Sequence, residues 1–235
     1  VDEDQPWKPF LLFQPLTNAV NACVFQYGIA FYDVEVGKYL KGRLDKKEFR
    51  SRAGKMLTKI RRQVTRDYVL HPLLSGPSAL TTLTANATAN LVRNIWTHSV
   101  IMCGHFPEGV ATYEKTSIEG ETRAEWYLRQ MLGSANISGS AAMHFMTGNL
   151  SYQIEHHLFP DLPSNRYQEI TPKVPEGIER YGLTYPTGPL PKQVASAWTK
   201  IIRLSLPNGF LETALQPFAA VLPKSATDRD SAAAA

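Results

Sequence analysis

Cysteine is nearly absent from this 235-residue chain. Cys23 and Cys103 are the only two, and each lies in an apolar run. They read as small buried hydrophobes in a reducing compartment, which excludes a disulfide framework. No His-Glu-x-x-His pattern occurs, so zinc-protease chemistry is excluded. There is no internal repeat. The chain opens on the acidic run Val1-Asp2-Glu3-Asp4, where no signal peptide is visible, and it reads as if it begins inside a longer protein. Charge is missing from two long stretches, residues 10–32 and 68–92. Each has the length to cross a bilayer, which takes about 20 residues. Both are polar for spans, the first holding Gln14, Thr17, Asn18, Asn21 and Gln26. Such segments would face other helices or a cavity, and two buried soluble helices are the bland alternative.

The charge that is present is segregated. Overall the formal net charge is +4. Residues 38–66 hold twelve Lys or Arg against Asp45 and Glu48. Within 46–67, Phe49, Ala53, Met56, Leu57, Ile60 and Val64 recur at helical spacing, which predicts a basic amphipathic helix. That helix suits an anionic membrane surface or the phosphates of an acyl carrier, and a solvated basic face is the plain alternative. Aromatic interleaving and a recognition motif are lacking, so no nucleic-acid partner is expected.

Around that helix the reading is all-α. Apolar helices are expected over about 10–32, with a kink at Pro15, and over about 68–106, interrupted near Pro72 and Gly76-Pro77. Glycines at 133, 139 and 148 suggest close helix packing around 136–149. An amphipathic helix is expected over 193–206. Residues 1–223 form one domain, and 224–235 read as a disordered tail.

The chemistry concentrates in Tyr152-Gln153-Ile154-Glu155-His156-His157-Leu158-Phe159-Pro160. On a helix, Gln153, His156 and His157 stand at i, i+3 and i+4 and point from one face, while Pro160 limits the helix. Imidazole is the commonest protein ligand for mid-row transition metals. Two adjacent imidazoles and an amide one turn away look like half of a metal site. Glu155 points about a quarter-turn away, which suits support of the ligands better than ligation. Four further histidines stand at 71, 98, 105 and 144, and His98 and His105 share a helix face two turns apart.

Gln153 to Pro160 resembles the third histidine box of membrane fatty acid desaturases, in its Gln-x-x-His-His form. Gly148-Asn149-Leu150-Ser151-Tyr152 resembles the segment leading into that box, with Asn149 and Ser151 as departures. His105, with Glu108 three residues on, resembles an isolated histidine that supplies an extra iron ligand. Asn94-x-x-x-His98 resembles the Asn/His pair of stearoyl-CoA enzymes. The resemblance covers about residues 4–206 and is nearest to mycobacterial-type acyl-CoA desaturases.

The resemblance implies membrane-embedded helices with a cytoplasmic helical cap that carries a histidine-rich non-haem di-iron site. It implies O2 as co-substrate, a fatty acyl-CoA or acyl-lipid substrate, a separate electron-transfer reductase, and insertion of a cis double bond. The implied metal ligands are His105, His156 and His157, with His98 as the alternative or additional imidazole. Gln153 would be a weak or water-mediated ligand, and Asn94 a supporting contact. The family's other two histidine boxes are absent, so the expectation is the C-terminal part of a desaturase, inactive alone. A lipid hydroxylase on the same scaffold, a membrane-surface binding module and a soluble zinc module using His105, His156 and His157 are the competing readings. Two crossings, by 10–32 and 68–92, would put the basic segment opposite the histidines. The excess of Lys and Arg favours the cytoplasmic face instead, so residues 10–32 are expected to be embedded without spanning cleanly.

Overall fold

A computed structural model describes residues 6–113, 115–180 and 182–210; the expected tail at 224–235 lies outside them. The described chain is mostly helical, as expected. A short 3-10 turn, Pro9–Phe13, leads into α1 (Gln14–Cys23), α2 (Phe25–Asp33) and α3 (Val36–Leu40). Pro15 falls in the first turn of α1, where its missing N–H costs nothing, so it does not kink the helix. The break comes at Val24 (φ −120°, ψ 24°). Asn94 reaches across it, donating from Nδ2 to the Cys23 carbonyl (2.9 Å) and accepting from the Gln26 N–H (3.2 Å). A side-chain amide thus satisfies two of the backbone groups that the break releases.

The basic helix forms as α4 (Lys46–Thr65), capped by the Asp45 carboxylate on the Lys47 N–H. It runs on through a π-helical turn (Arg66–Leu70) into α5 (His71–Leu74). The chain reverses over residues 75–78 into α6 (Ala79–His105), giving an antiparallel hairpin. No helix among the described residues is long and apolar enough to cross a membrane. At 27 residues α6 has the length, but Thr, Asn and Arg93 keep it from being apolar.

Beyond α6 the chain forms α7 (Arg123–Leu132), β1 (Asn136–Ser138), α8 (Ala141–Met146), α9 (Gln153–Leu158), α10 (Tyr167–Ile170), α11 (Lys173–Glu179), β2 (Thr187–Pro189) and α12 (Leu190–Ser205). The sheet is the departure from an all-helical reading. β1 and β2 pair in parallel, Asn136 opposite Thr187 and Ser138 opposite Pro189. Of residues 136–149, expected to pack as helix, the first three form this strand and Ala141–Met146 form α8. A core of Val100, Cys103, Ile137 and Leu190 joins α6, β1 and α12. Cys103 is fully buried there, in keeping with a structural thiol, whereas Cys23, also expected to be buried, is exposed at the end of α1.

Candidate metal centre

The C-terminal end of α6 meets α9 side by side, and this contact builds the site. Gly104 permits it. A Cβ at that position would lie 2.8 Å from Cγ of Gln153, so any larger residue would have to displace the Gln153 side chain. The Gln153 amide nitrogen then stands 3.4 Å from Nε2 of His105. The ring of His157 lies edge-on to that of His105, centroids 5.1 Å apart, and edge-on to that of His156 at 5.7 Å. Four of the residues implied by the resemblance therefore cluster: His105, Gln153, His156 and His157.

Each ring is held from behind. His157 donates from Nδ1 to Oε1 of Gln130 (3.0 Å). Nδ1 of His156 bonds to the hydroxyl of the buried Tyr167 (2.9 Å). A hydrogen bond to the Gly133 backbone steadies His105. Ligating histidines are characteristically fixed by an oxygen partner on the second ring nitrogen. α7 presents Gln130 and ends at Gly133, and it is set by the Thr-x-x-Glu capping box of Thr122 and Glu125. Arg129 and Glu121 add a two-pronged ion pair at 2.6 and 2.9 Å. Burial first, then the neighbouring His105 and His156, push the His157 imidazole down to about 4. It is therefore neutral at neutral pH, the state a metal needs.

Glu155, fully buried, points away from the rings. Its carboxylate accepts from Asn136 Nδ2 (2.7 Å) and from the Tyr185 hydroxyl (2.7 Å). Burial, then the Glu155 charge, push the Tyr185 phenol well above its ordinary range, so it stays a donor. Asn136 also accepts from the Ile154 N–H (2.8 Å), and the Ala135 N–H donates to the Gly104 carbonyl (2.9 Å). The strand thereby ties the residue before His105 to the residues before His156. The expected supporting role of Glu155 is thus exerted through the backbone of α9, not on an imidazole.

His98 and Asn94 lie elsewhere. His98 is buried, bonds to Asn18 Oδ1 (3.2 Å), packs edge-on to Phe25 and lines a cavity of about 480 Å³ with Asn21, Met102 and Lys200. Asn94 is engaged at the helix break at Val24. Glu108 pairs with Arg203 (2.8 Å). His144 stacks on Tyr152 and bonds to Ser151, and His71 is exposed in the hairpin. Residues 125–136, which hold Gln130 and Asn136, resemble the block that precedes the box in that family, but nothing in the sequence singles out Gln130, Asn136, Tyr167 or Tyr185 as a support for the site.

Among the described residues, no three His, Cys, Asp or Glu side chains converge on one point in metal-binding geometry. The donor set still suits iron. It offers imidazoles with one ring nitrogen tied back, and an amide beside the His105 ring.

The chain belongs to the fatty acid desaturase family, whose model matches residues 3–189. It is 46% identical over 215 residues to the NADPH-dependent stearoyl-CoA 9-desaturase of two Mycobacterium tuberculosis strains, covering 90% of this chain and 50% of that protein. It is 29% identical over 112 residues to the fatty acid desaturase 2-like protein FADS2B of Mus musculus, covering 48% of this chain and 20% of that protein. The chain spans about half the length of the mycobacterial relatives. No solved structure matches it.

Proposed function

We propose that the protein is a membrane-bound, O2-dependent fatty acyl-CoA desaturase, and that this chain supplies the third histidine box and one further imidazole to a di-iron centre. The observation that carries the reading is the cluster of His105, His156 and His157, each with a ring nitrogen tied back, in a chain of the fatty acid desaturase family. His105, His156 and His157 would hold the metal, with Gln153 as a weak or water-bridged donor. When bound and reduced, iron would supply the O2 activation needed to take two hydrogens from an unactivated methylene.

The chain's own part is positioning. Gln130, Tyr167 and the Gly133 backbone fix the ring planes. Asn136 and Glu155 fix the spacing between α6 and α9. The name of the mycobacterial relatives supports stearoyl-CoA as the substrate class and NADPH as the electron source, delivered through a separate reductase. The remaining ligands would come from the half of the relatives that this chain does not span.

The basic helix and the two ends of the 46–105 hairpin support a membrane location with the metal on the cytoplasmic face. The reversal at residues 75–78 supports one shared face, because α4 leads into that turn and α6, which ends at His105, leads away from it.

The test is His156→Ala in the full-length protein, read by iron content and by product mass. Loss of iron together with loss of the product two hydrogens lighter is expected. Unchanged product would overturn the assignment, and a product heavier by one oxygen would make the enzyme a hydroxylase.

A further inference from the structure

His144, on α8, lies outside the ligand cluster, yet it grips the two residues that lead into α9. The Ser140 hydroxyl accepts from the Met143 N–H (3.4 Å) and starts α8. Beyond Met146 the chain reverses on two successive left-handed residues, Gly148 and Asn149, each with φ 62°. Glycine takes that conformation freely, and asparagine is among the few other residues that tolerate it. The Asn149 N–H then donates to the His144 carbonyl (2.8 Å), and the reversal brings Ser151 and Tyr152 back onto α8.

The His144 side chain meets both residues. Its Nδ1 stands 2.7 Å from the Ser151 hydroxyl oxygen. The Thr147 hydroxyl lies between that oxygen (3.1 Å) and the His144 carbonyl (2.9 Å). The His144 ring stacks on the Tyr152 ring, with centroids 4.4 Å apart and planes 21° apart. Thr147, Ser151 and Tyr152 are buried, so a bond lost here leaves a polar group unsatisfied. Ser151 is also held from its other side, since its carbonyl accepts from the Ile137 N–H of β1 (2.8 Å).

The start of α9 depends on this grip. α9 has six residues, less than two turns, and a helix that short does not hold itself. Asn136 ties its second residue and Tyr185 its third. Its first turn begins after Tyr152 with no side-chain cap. The Tyr152 carbonyl accepts from the His156 N–H (2.9 Å), and Gln153 follows Tyr152 directly and reaches His105. A shift of Tyr152 therefore moves the amide and one imidazole together.

We propose that His144 is a positioning residue for the metal centre. Through Ser151 and Tyr152 it fixes the start of α9, and with it where Gln153 and His156 stand relative to His105. This role rests on the metal reading above and adds to it a residue that the box motif does not contain.

The test uses the full-length protein, with iron affinity measured by chelator competition and fold stability by denaturant midpoint. His144→Leu removes both the bond and the stack. His144→Phe keeps the ring and loses the nitrogen. His144→Asn places an amide nitrogen near where Nδ1 stands and loses the ring. His144→Leu should lower iron affinity about tenfold, the lower end of what removing a support of metal ligands costs. His144→Phe and His144→Asn should each recover part of that loss. Ser151→Ala should lower affinity alone and add little beside His144→Phe, because the two changes remove one bond. Unchanged affinity in His144→Leu overturns the role. A lower midpoint with unchanged affinity also overturns it, since His144 would then support the fold alone. Fully additive losses for His144→Phe and Ser151→Ala overturn the route through Ser151. Should His144→Leu fail to fold, His144→Phe and His144→Asn carry the same comparison with the unsubstituted protein. Absence of iron from the unsubstituted protein would instead overturn the metal reading, and the role with it.

Discussion

At the scale of single residues, the site depends on one missing methyl group. Gly104 lies against Cγ and Cδ of Gln153, 2.8 and 3.0 Å from where a Cβ would be, so it sets where the Gln153 amide can rest beside His105. Gly104→Ala is expected to displace Gln153 and widen the gap between His105 and His157. A misplacement of about 1 Å can cost about 10²-fold in rate. Activity should fall on that order while the helical content measured by circular dichroism stays the same. Wild-type activity in this variant would mean that the α6–α9 contact does not position the ligands. The sequence reveals the ligands here but not their supports. Gln153, His156 and His157 announce themselves by i, i+3, i+4 spacing. Gly104 is one glycine among fifteen, and only the three-dimensional neighbour gives it meaning. Gln130 and Tyr167 are ordinary helix residues until the fold brings them behind imidazoles.

At the scale of elements, periodicity predicted the helices and missed the breaks. The amphipathic pattern located α4 and α12, and Asp45 and the Thr122–Glu125 box mark helix starts in the sequence itself. Val24 carries no breaker signature. Its non-helical backbone is stabilised by Asn94, seventy residues away, so the interruption is a tertiary effect invisible to local reading. The two three-residue strands were also illegible, being too short to show alternation and held by pairing across fifty residues. Asn94→Leu follows as a test at this scale. It removes both partners at the break and should cost about 1–3 kcal/mol of stability, read as a lower denaturant midpoint. Iron content at saturating metal should be little changed. A variant that loses iron but keeps its stability would return Asn94 to the metal site.

For the molecule as a whole, acid sensitivity is the expected signature of the centre. In the unfolded chain His157 titrates near 6.5, and in the metal-free fold near 4. Between these values the unfolded chain binds the extra proton, so falling pH favours unfolding. The contribution of His157 is fully present above about pH 6.5 and is lost as pH drops through about 4. Unfolding of the metal-free protein, followed by intrinsic fluorescence, should show stability declining across that window, and His157→Gln should flatten the decline. An identical pH profile in the variant would show that burial of this imidazole is not what acid attacks.

The parallel pairing of β1 with β2, together with the Tyr185–Glu155 contact, has a consequence in time. Eighty residues separate His105 from Tyr185. At about 5–20 residues per second of synthesis, roughly 4–16 s pass between the emergence of the first imidazole and that of the hydroxyl that locks the last helix of the site. Through that interval the hairpin is complete and the centre is not. The helices that carry the imidazoles are therefore made before the hydroxyl that fixes their support.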